Sequence, residues 1–228
     1  MQAVDSIFYI VVLILSVIIH EISHGYAALY FGDQTAKLAG RLTLNPLKHL
    51  DPFGSVLIPL FLVILHSPFL IGWARPVPFN PHNLRNQKLG TLWVAAAGIL
   101  SNFLIAIIFG LTSMIIPVAS EVKTSLFQVI LNRGSIMGVA SNGLEAAVGI
   151  MFVIILVNIV LAIFNLVPLP PLDGSRILFT LLGNRFRQIE FFLERYAIFV
   201  LLIFIFFLWQ KIAPIVFSLF KLFTGVSF

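Results

Sequence analysis

Long apolar runs separated by short polar loops make up almost the whole chain. Residues 6–31 are apolar except for His20-Glu21-Ile22-Ser23-His24 near their end. A run of that length predicts a membrane-spanning helix, because about 20 residues cross a bilayer core of about 30 Å. Residues 91–117 and 146–167 read the same way. The first of these carries Ala95, Ala96, Ala97, Gly98 and Ser101, small side chains that let helices approach closely in lipid. A last apolar stretch starts at Tyr196 and continues past Trp209, Lys211 and Pro214 to Phe223, and its part after Trp209 either spans or lies in the interface. Residues 53–71 are apolar but broken by Gly54, Pro59 and Pro68. Of the loops, 32–51 is turn-rich, 72–90 is basic and Pro-rich, and 118–144 is mixed. Within the first, residues 39–44 (AGRLTL) predict a small hairpin. The expected fold is an all-α polytopic membrane protein. It has about four to six transmembrane or re-entrant helices and a small membrane-associated β-hairpin after the first helix. One domain covers 1–228, with a core at about 6–180 and C-terminal helices at about 190–224.

Composition supports the bilayer as solvent. The chain is 60% hydrophobic and 10% charged, with 23 Phe, whereas soluble domains carry roughly 25% charged residues. The net charge of +5 suits loops beside anionic lipid. No basic cluster interleaves with aromatics, so a nucleic-acid partner is not expected. The absence of cysteine excludes disulfides and thiolate metal sites. The start carries Asp5, no basic residue and no Ala-x-Ala-like site, so the first run is read as a retained helix and not a cleaved leader.

Charge also orders the loops. Basic residues gather in 32–51 (Lys37, Arg41, Lys48), 72–90 (Arg75, Arg85, Lys88) and 173–195 (Arg176, Arg185, Arg187, Arg195), while 118–145 balances two bases with two acids. The positive-inside rule puts the three basic loops in the cytoplasm. Residues 53–71 then begin and end on one side, as a re-entrant or interfacial segment. The helices at 6–31 and 146–167 run in the same direction, toward the cytoplasm.

The chemistry sits in the first helix. His20 and His24, one helical turn apart, share a face and can reach one metal ion, with Glu21 beside them as general base toward a bound water. Ionisable groups at membrane depth cost about 2.5–3.5 kcal/mol each by insertion scales, so they are rare without function. A polar packing contact or a proton path is the blander reading of the same residues. A structural zinc would leave Glu21 without a role and would call for four protein ligands.

A hydrolytic zinc site uses three protein ligands and leaves one position open. Asp173 is the candidate third ligand. It follows Asn165-Leu166-Val167-Pro168-Leu169-Pro170-Pro171-Leu172, where prolines break the helix. Asp173 falls at the cytoplasmic end of its helix, toward which His20 and His24 are also displaced. Its other reading, an N-cap for a helix beginning near Ser175, is compatible with partial ligation.

Together HEISHG and NLVPLPPLDG resemble the site-2 protease family of intramembrane zinc metalloproteases. The resemblance extends to Gly32-Asp33, GRLTLNPLKHLDPFGS (residues 40–55), GWARPVPFNP (residues 72–81) and AAGILSN (residues 96–102), and covers most of 18–180. It implies one Zn2+ held by His20, His24 and Asp173, with Glu21 activating water. It also implies Asn165 near the metal as an oxyanion donor, a C-terminal helix cap being the alternative for that side chain. Ile99 stands where the family often has Pro after the glycine, so Asn102 is given no catalytic role, although Gly98 and Asn102 are expected to face the site helix. No segment is long enough for a PDZ domain, which suggests the short bacterial, core-only type.

The expected activity is hydrolysis of peptide bonds in or near transmembrane segments of membrane-protein substrates. The residues 39–44 edge is expected to pair with an unwound substrate by β-augmentation. The expected location is the bacterial cytoplasmic membrane, with the site toward the cytoplasm; a homo-oligomer is compatible with the sequence. His49, His66 and His82 read as loop or interfacial residues, with His66 also placed to line a water route or gate. The competing function is a non-proteolytic membrane metal-binding protein or transporter. Such a protein would show several ligand sets along a path, whereas here one set accompanies a non-ligating glutamate.

Overall fold

The computed structural model describes residues 3–58, 61, 64, 74–132 and 134–226. Its helices are α1 (Ala3–Tyr30), α2 (Thr35–Leu38), α3 (Gln87–Ile115), α4 (Ser120–Leu131), α5 (Gly143–Leu166), α6 (Asp173–Leu182), α7 (Arg187–Arg195), α8 (Ala197–Ile203) and α9 (Trp209–Thr224). A π-helical turn, Phe204–Leu208, joins α8 to α9. Among the described residues, four stretches are long and apolar enough to cross a bilayer: Ile7–Tyr30, Gln87–Ile115, Gly143–Leu166 and Ala197–Thr224. The last meets the length requirement as one helical run despite Pro214 within α9. Many of its side chains, Phe199, Phe207 and Leu222 among them, are exposed, as expected where lipid is the solvent.

Backbone contacts divide the chain into two compact units, Val17–Gly98 and a second made of Met1–Ser16 with Ile99–Phe228, the division falling inside α1 and α3. The larger unit is built around α5. This helix is apolar on every side, the pattern of a helix surrounded by protein or lipid, and Val148, Phe152, Val153, Ile155 and Ile159 are fully buried on it. Phe220 of α9 stacks on Phe127 of α4 at 4.4 Å and meets Phe152 of α5 edge-on at 5.2 Å. Gly149 permits the close approach, since a Cβ there would lie 2.5 Å from Ile136. The 118–144 segment, expected to be a loop, thus contains α4, which buries Leu126, Phe127 and Ile130 and turns Ser120, Glu121 and Ser125 outward.

A buried side-chain bond joins two helices of this apolar unit. Asn158 of α5, fully buried, donates from Nδ2 to Ser16 Oγ of α1 at 2.9 Å and to Ile154 O at 2.8 Å. No water competes for these groups in a bilayer core, so the bond ties α1 to α5 at one register.

The smaller unit is organised by Asp33. The turn that follows α1 holds Gly32, whose φ of +106° is a conformation that side chains disfavour. The chain then delivers a fully buried carboxylate that accepts from Thr35 N (3.0 Å), Thr35 Oγ1 (2.5 Å), Asn80 N (2.6 Å) and Asn83 Nδ2 (3.0 Å). Two segments almost fifty residues apart in sequence are held by one side chain. Burial pushes the Asp33 pKa up, but the bonds from Thr35, Asn80 and Asn83 outweigh it and hold the carboxyl below its ordinary value.

The predicted hairpin is absent, and no strand occurs among the described residues. Residues 39–44 close turns instead of forming a ladder. Gly40 N donates to Lys37 O and Arg41 N to Ala36 O, each at 3.0 Å, around a left-handed Gly40 with φ +63°. Further on, Asn45 caps the turn Pro46–Lys48 by accepting from Leu47 N, the Arg41 guanidinium donates to Lys48 O, and the His49 ring donates to Thr43 O. Local partners therefore satisfy groups that a strand would offer across a sheet. The expected re-entrant segment begins with a π-helical turn, Pro52–Leu57, capped by Asp51. Most of its remainder, His66 included, lies outside the described residues.

Two outcomes follow from these contacts. Asn158→Leu and Ser16→Ala each lower thermal stability in detergent, by about 0.6–1.7 kcal/mol per broken bond, and the double variant loses no more than the larger single loss. Asp33 contributes stability that is complete above the unfolded carboxylate range of about 3.9 and is lost as pH falls through its lowered folded pKa. The Tm gap between the natural protein and Asp33→Asn therefore narrows as pH falls below about 4, which a pH series of melting curves checks.

Candidate metal centre

The motif helix presents its histidines as expected. His20 and His24 lie one turn apart on α1, with ring centroids 4.6 Å apart and planes at 85°. His20 is buried and His24 half-buried. His24 Nδ1 is 2.6 Å from Val94 O of α3. A carbonyl only accepts, so Nδ1 carries the proton and Nε2 is left with a lone pair, the tautomer a metal needs. One turn along α3 stands Gly98. A Cβ there would lie 2.6 Å from His20 Nε2 and 2.6 Å from His24 Nε2. Both nitrogens thus converge where α3 has no side chain. Paired imidazole Nε2 atoms, one fixed by a backbone acceptor, fit zinc.

Glu21 sits beside them and accepts at Oε2 from Val77 N–H at 2.8 Å. Gly25, on the same face one turn later, is buried against Leu42, Val77 and Ala36, and a Cβ there would lie 2.5 Å from Leu42 and 2.9 Å from Val77. Ser23 bonds its own helix at Ile19 O (2.7 Å), so its hydroxyl is satisfied in an apolar run. Neither Val94 O nor Val77 N was visible to sequence reasoning, because both are main-chain groups. The only hint for Val77 was the Pro-x-Pro frame around it.

In the larger unit Asp173 is the first residue of α6, with Leu172 before it in an extended conformation. Asp173 is therefore not the N-cap that the capping alternative needs. Its placement depends on Gly174, where a Cβ would stand 2.2 Å from Leu166 O and 2.5 Å from Val167 O. Only glycine lets α6 start against the end of α5. Ser175 Oγ donates to Leu172 O at 2.7 Å and holds the same corner. Asn165, on the last turn of α5, donates to Leu161 O at 3.0 Å, which uses one of its two amide hydrogens. Asn102 is fully buried, and neither atom of its carboxamide has a hydrogen-bond partner. His49 is buried in the turn it closes, and His82 is exposed beside Gln87.

An apolar helix that carries two converging imidazoles and an adjacent carboxylate defines a membrane-embedded metallohydrolase. The chain belongs to peptidase family M50, whose sequence model matches residues 8–208. It is similar to "Putative zinc metalloprotease YwhC" of Bacillus subtilis, at 40% identity over 75% of this chain and 67% of that protein. It is also similar to "Putative zinc metalloprotease Rip2" of Mycolicibacterium smegmatis, at 28% identity over 71% of this chain and 52% of that protein. No solved structure matches the chain. Family and helices together make it an integral membrane zinc metalloprotease of the site-2 protease type.

Gly98→Ala places a methyl group against both Nε2 atoms. Zinc content, measured by plasma mass spectrometry on the purified variant, falls to less than about half of the natural value, while Ala97→Gly on the same helix retains it.

Proposed function

We propose that His20, His24 and Asp173 hold one zinc ion, with Glu21 as general base, and that the protein cleaves peptide bonds in or beside transmembrane helices of other membrane proteins. The convergence of the two Nε2 atoms on Gly98 carries this reading most strongly, because paired imidazole nitrogens are zinc donors and any side chain at Gly98 would press on both. Asp173 supports it by opening α6 directly after the non-helical stretch that follows α5, so that its carboxylate lies beyond the helix that precedes it. When bound, the ion supplies Lewis acidity toward a water molecule and the scissile carbonyl.

The chain's own residues supply the remaining steps. Glu21 takes the proton of the attacking water and returns it to the leaving amine. The second amide hydrogen of Asn165 is placed by this reading toward the developing oxyanion. A substrate helix has satisfied its own backbone and must unwind before a carbonyl can reach the site. With no strand at residues 39–44, the pairing edge expected there is not part of the proposal. We place the site toward the cytoplasm of a bacterial membrane, on the charge asymmetry of the loops.

Purified Glu21→Gln separates this reading from metal binding alone. It keeps its zinc and cleaves a membrane-protein substrate about 10²–10⁴-fold more slowly than the natural protein. Undiminished cleavage by Glu21→Gln, or absence of zinc from both proteins, would overturn the assignment.

A further inference from the structure

Residues 74–80 (ARPVPFN) belong to no helix, yet they are tied down at three points. Arg75 N–H donates to His49 O at 2.8 Å, Val77 N–H to Glu21 Oε2 at 2.8 Å, and Asn80 N–H to Asp33 Oδ2 at 2.6 Å. Pro76 and Pro78 have no N–H and bias Arg75 and Val77, the residues before them, toward extended backbone. The segment is thus stiff before any contact is made.

The middle tie depends on the outer two and on a seat in α1. Val77 is 6% exposed and rests on Gly25, where the missing side chain leaves its Cγ1 only 2.9 Å from an added Cβ. Glu21 and Gly25 are one turn apart on one face of α1. A single residue therefore meets the helix twice, with its side chain against Gly25 and its N–H against Glu21. Glu21 is the one carboxylate in the helix motif, and the proton transfer assigned to it requires a fixed direction.

We infer that Val77 is a positioning residue for Glu21, its backbone N–H holding one carboxylate oxygen so that the other faces the attacking water. This rests on the protease reading. The strap is a fixed part of the site and not the edge that receives substrate. Two of its residues have no N–H, and three of the others direct theirs inward, so it offers no ladder of donors to an extended chain.

Hydrogen exchange tests the bond without reference to turnover. The natural protein protects the Val77 amide. Glu21→Ala exchanges it about tenfold faster or more, and leaves Asn80, which Asp33 holds, unaffected. The flanking prolines leave few other amides in a peptide spanning 75–79, so the site is resolved. In kinetics, Val77→Pro keeps its zinc and its KM and loses about 10- to 100-fold in kcat. Val77→Ala, which retains the N–H, recovers about tenfold or more over Val77→Pro. Unchanged exchange at Val77 in Glu21→Ala overturns the inference. So does full kcat in Val77→Pro, or an equal loss in Val77→Ala. Should Val77→Pro fail to fold, the exchange comparison still decides. A natural protein without zinc or cleavage would defeat the protease reading and leave the exchange result to stand by itself.

Discussion

Within a bilayer core no water is available to a polar group, so each one α1 carries must find its partner in the protein. Ser16 receives the Asn158 amide, Ser23 turns back onto Ile19 O, His24 donates to Val94 O, and Glu21 accepts from Val77 N–H. These bonds account for much of what surrounds the helix. They fix where α5 and α3 approach it and why a stretch without secondary structure is tied to it. In water each would contribute only about 0.5–1.5 kcal/mol net. Here the alternative is an unsatisfied group, which costs more.

Glycines make these approaches possible. Gly98 lets α3 come up to the imidazoles, Gly25 seats Val77, and Gly174 lets α6 begin against the end of α5. All three work by the absence of a Cβ at ordinary backbone angles. Gly32 and Gly40 serve differently, by adopting positive φ where α1 ends and where the turn after α2 closes. The two uses look alike in the sequence and differ in the fold.

What the sequence discloses follows from where the information resides. Hydrophobic length shows the spanning helices, because a bilayer demands it, and α1, α3 and α5 fall within a few residues of their expected bounds. HEISH and the Pro-broken LDG stretch are legible because imidazole and carboxylate are rare at such depth. The hairpin at residues 39–44 was misread: its β-prone letters fit a strand, but Gly40 and the capping residues Thr43 and Asn45 offered closer partners. α4 was missed because its buried face is only Leu126, Phe127 and Ile130 among polar neighbours. The orienting groups on His24 and Glu21 belong to the main chain, so no letter announces them.

That last feature bears on how such a site can change over generations. The acceptor for His24 is a peptide carbonyl at position 94, which every amino acid possesses. A helix carbonyl also has a second lone pair beyond the one its own helix uses. Replacing the side chain at 94 can alter packing but cannot remove that acceptor. The imidazole's tautomer is thus insulated from drift in the neighbouring helix, and lineages are free to vary the residue there while the nitrogen that faces the metal position keeps its lone pair.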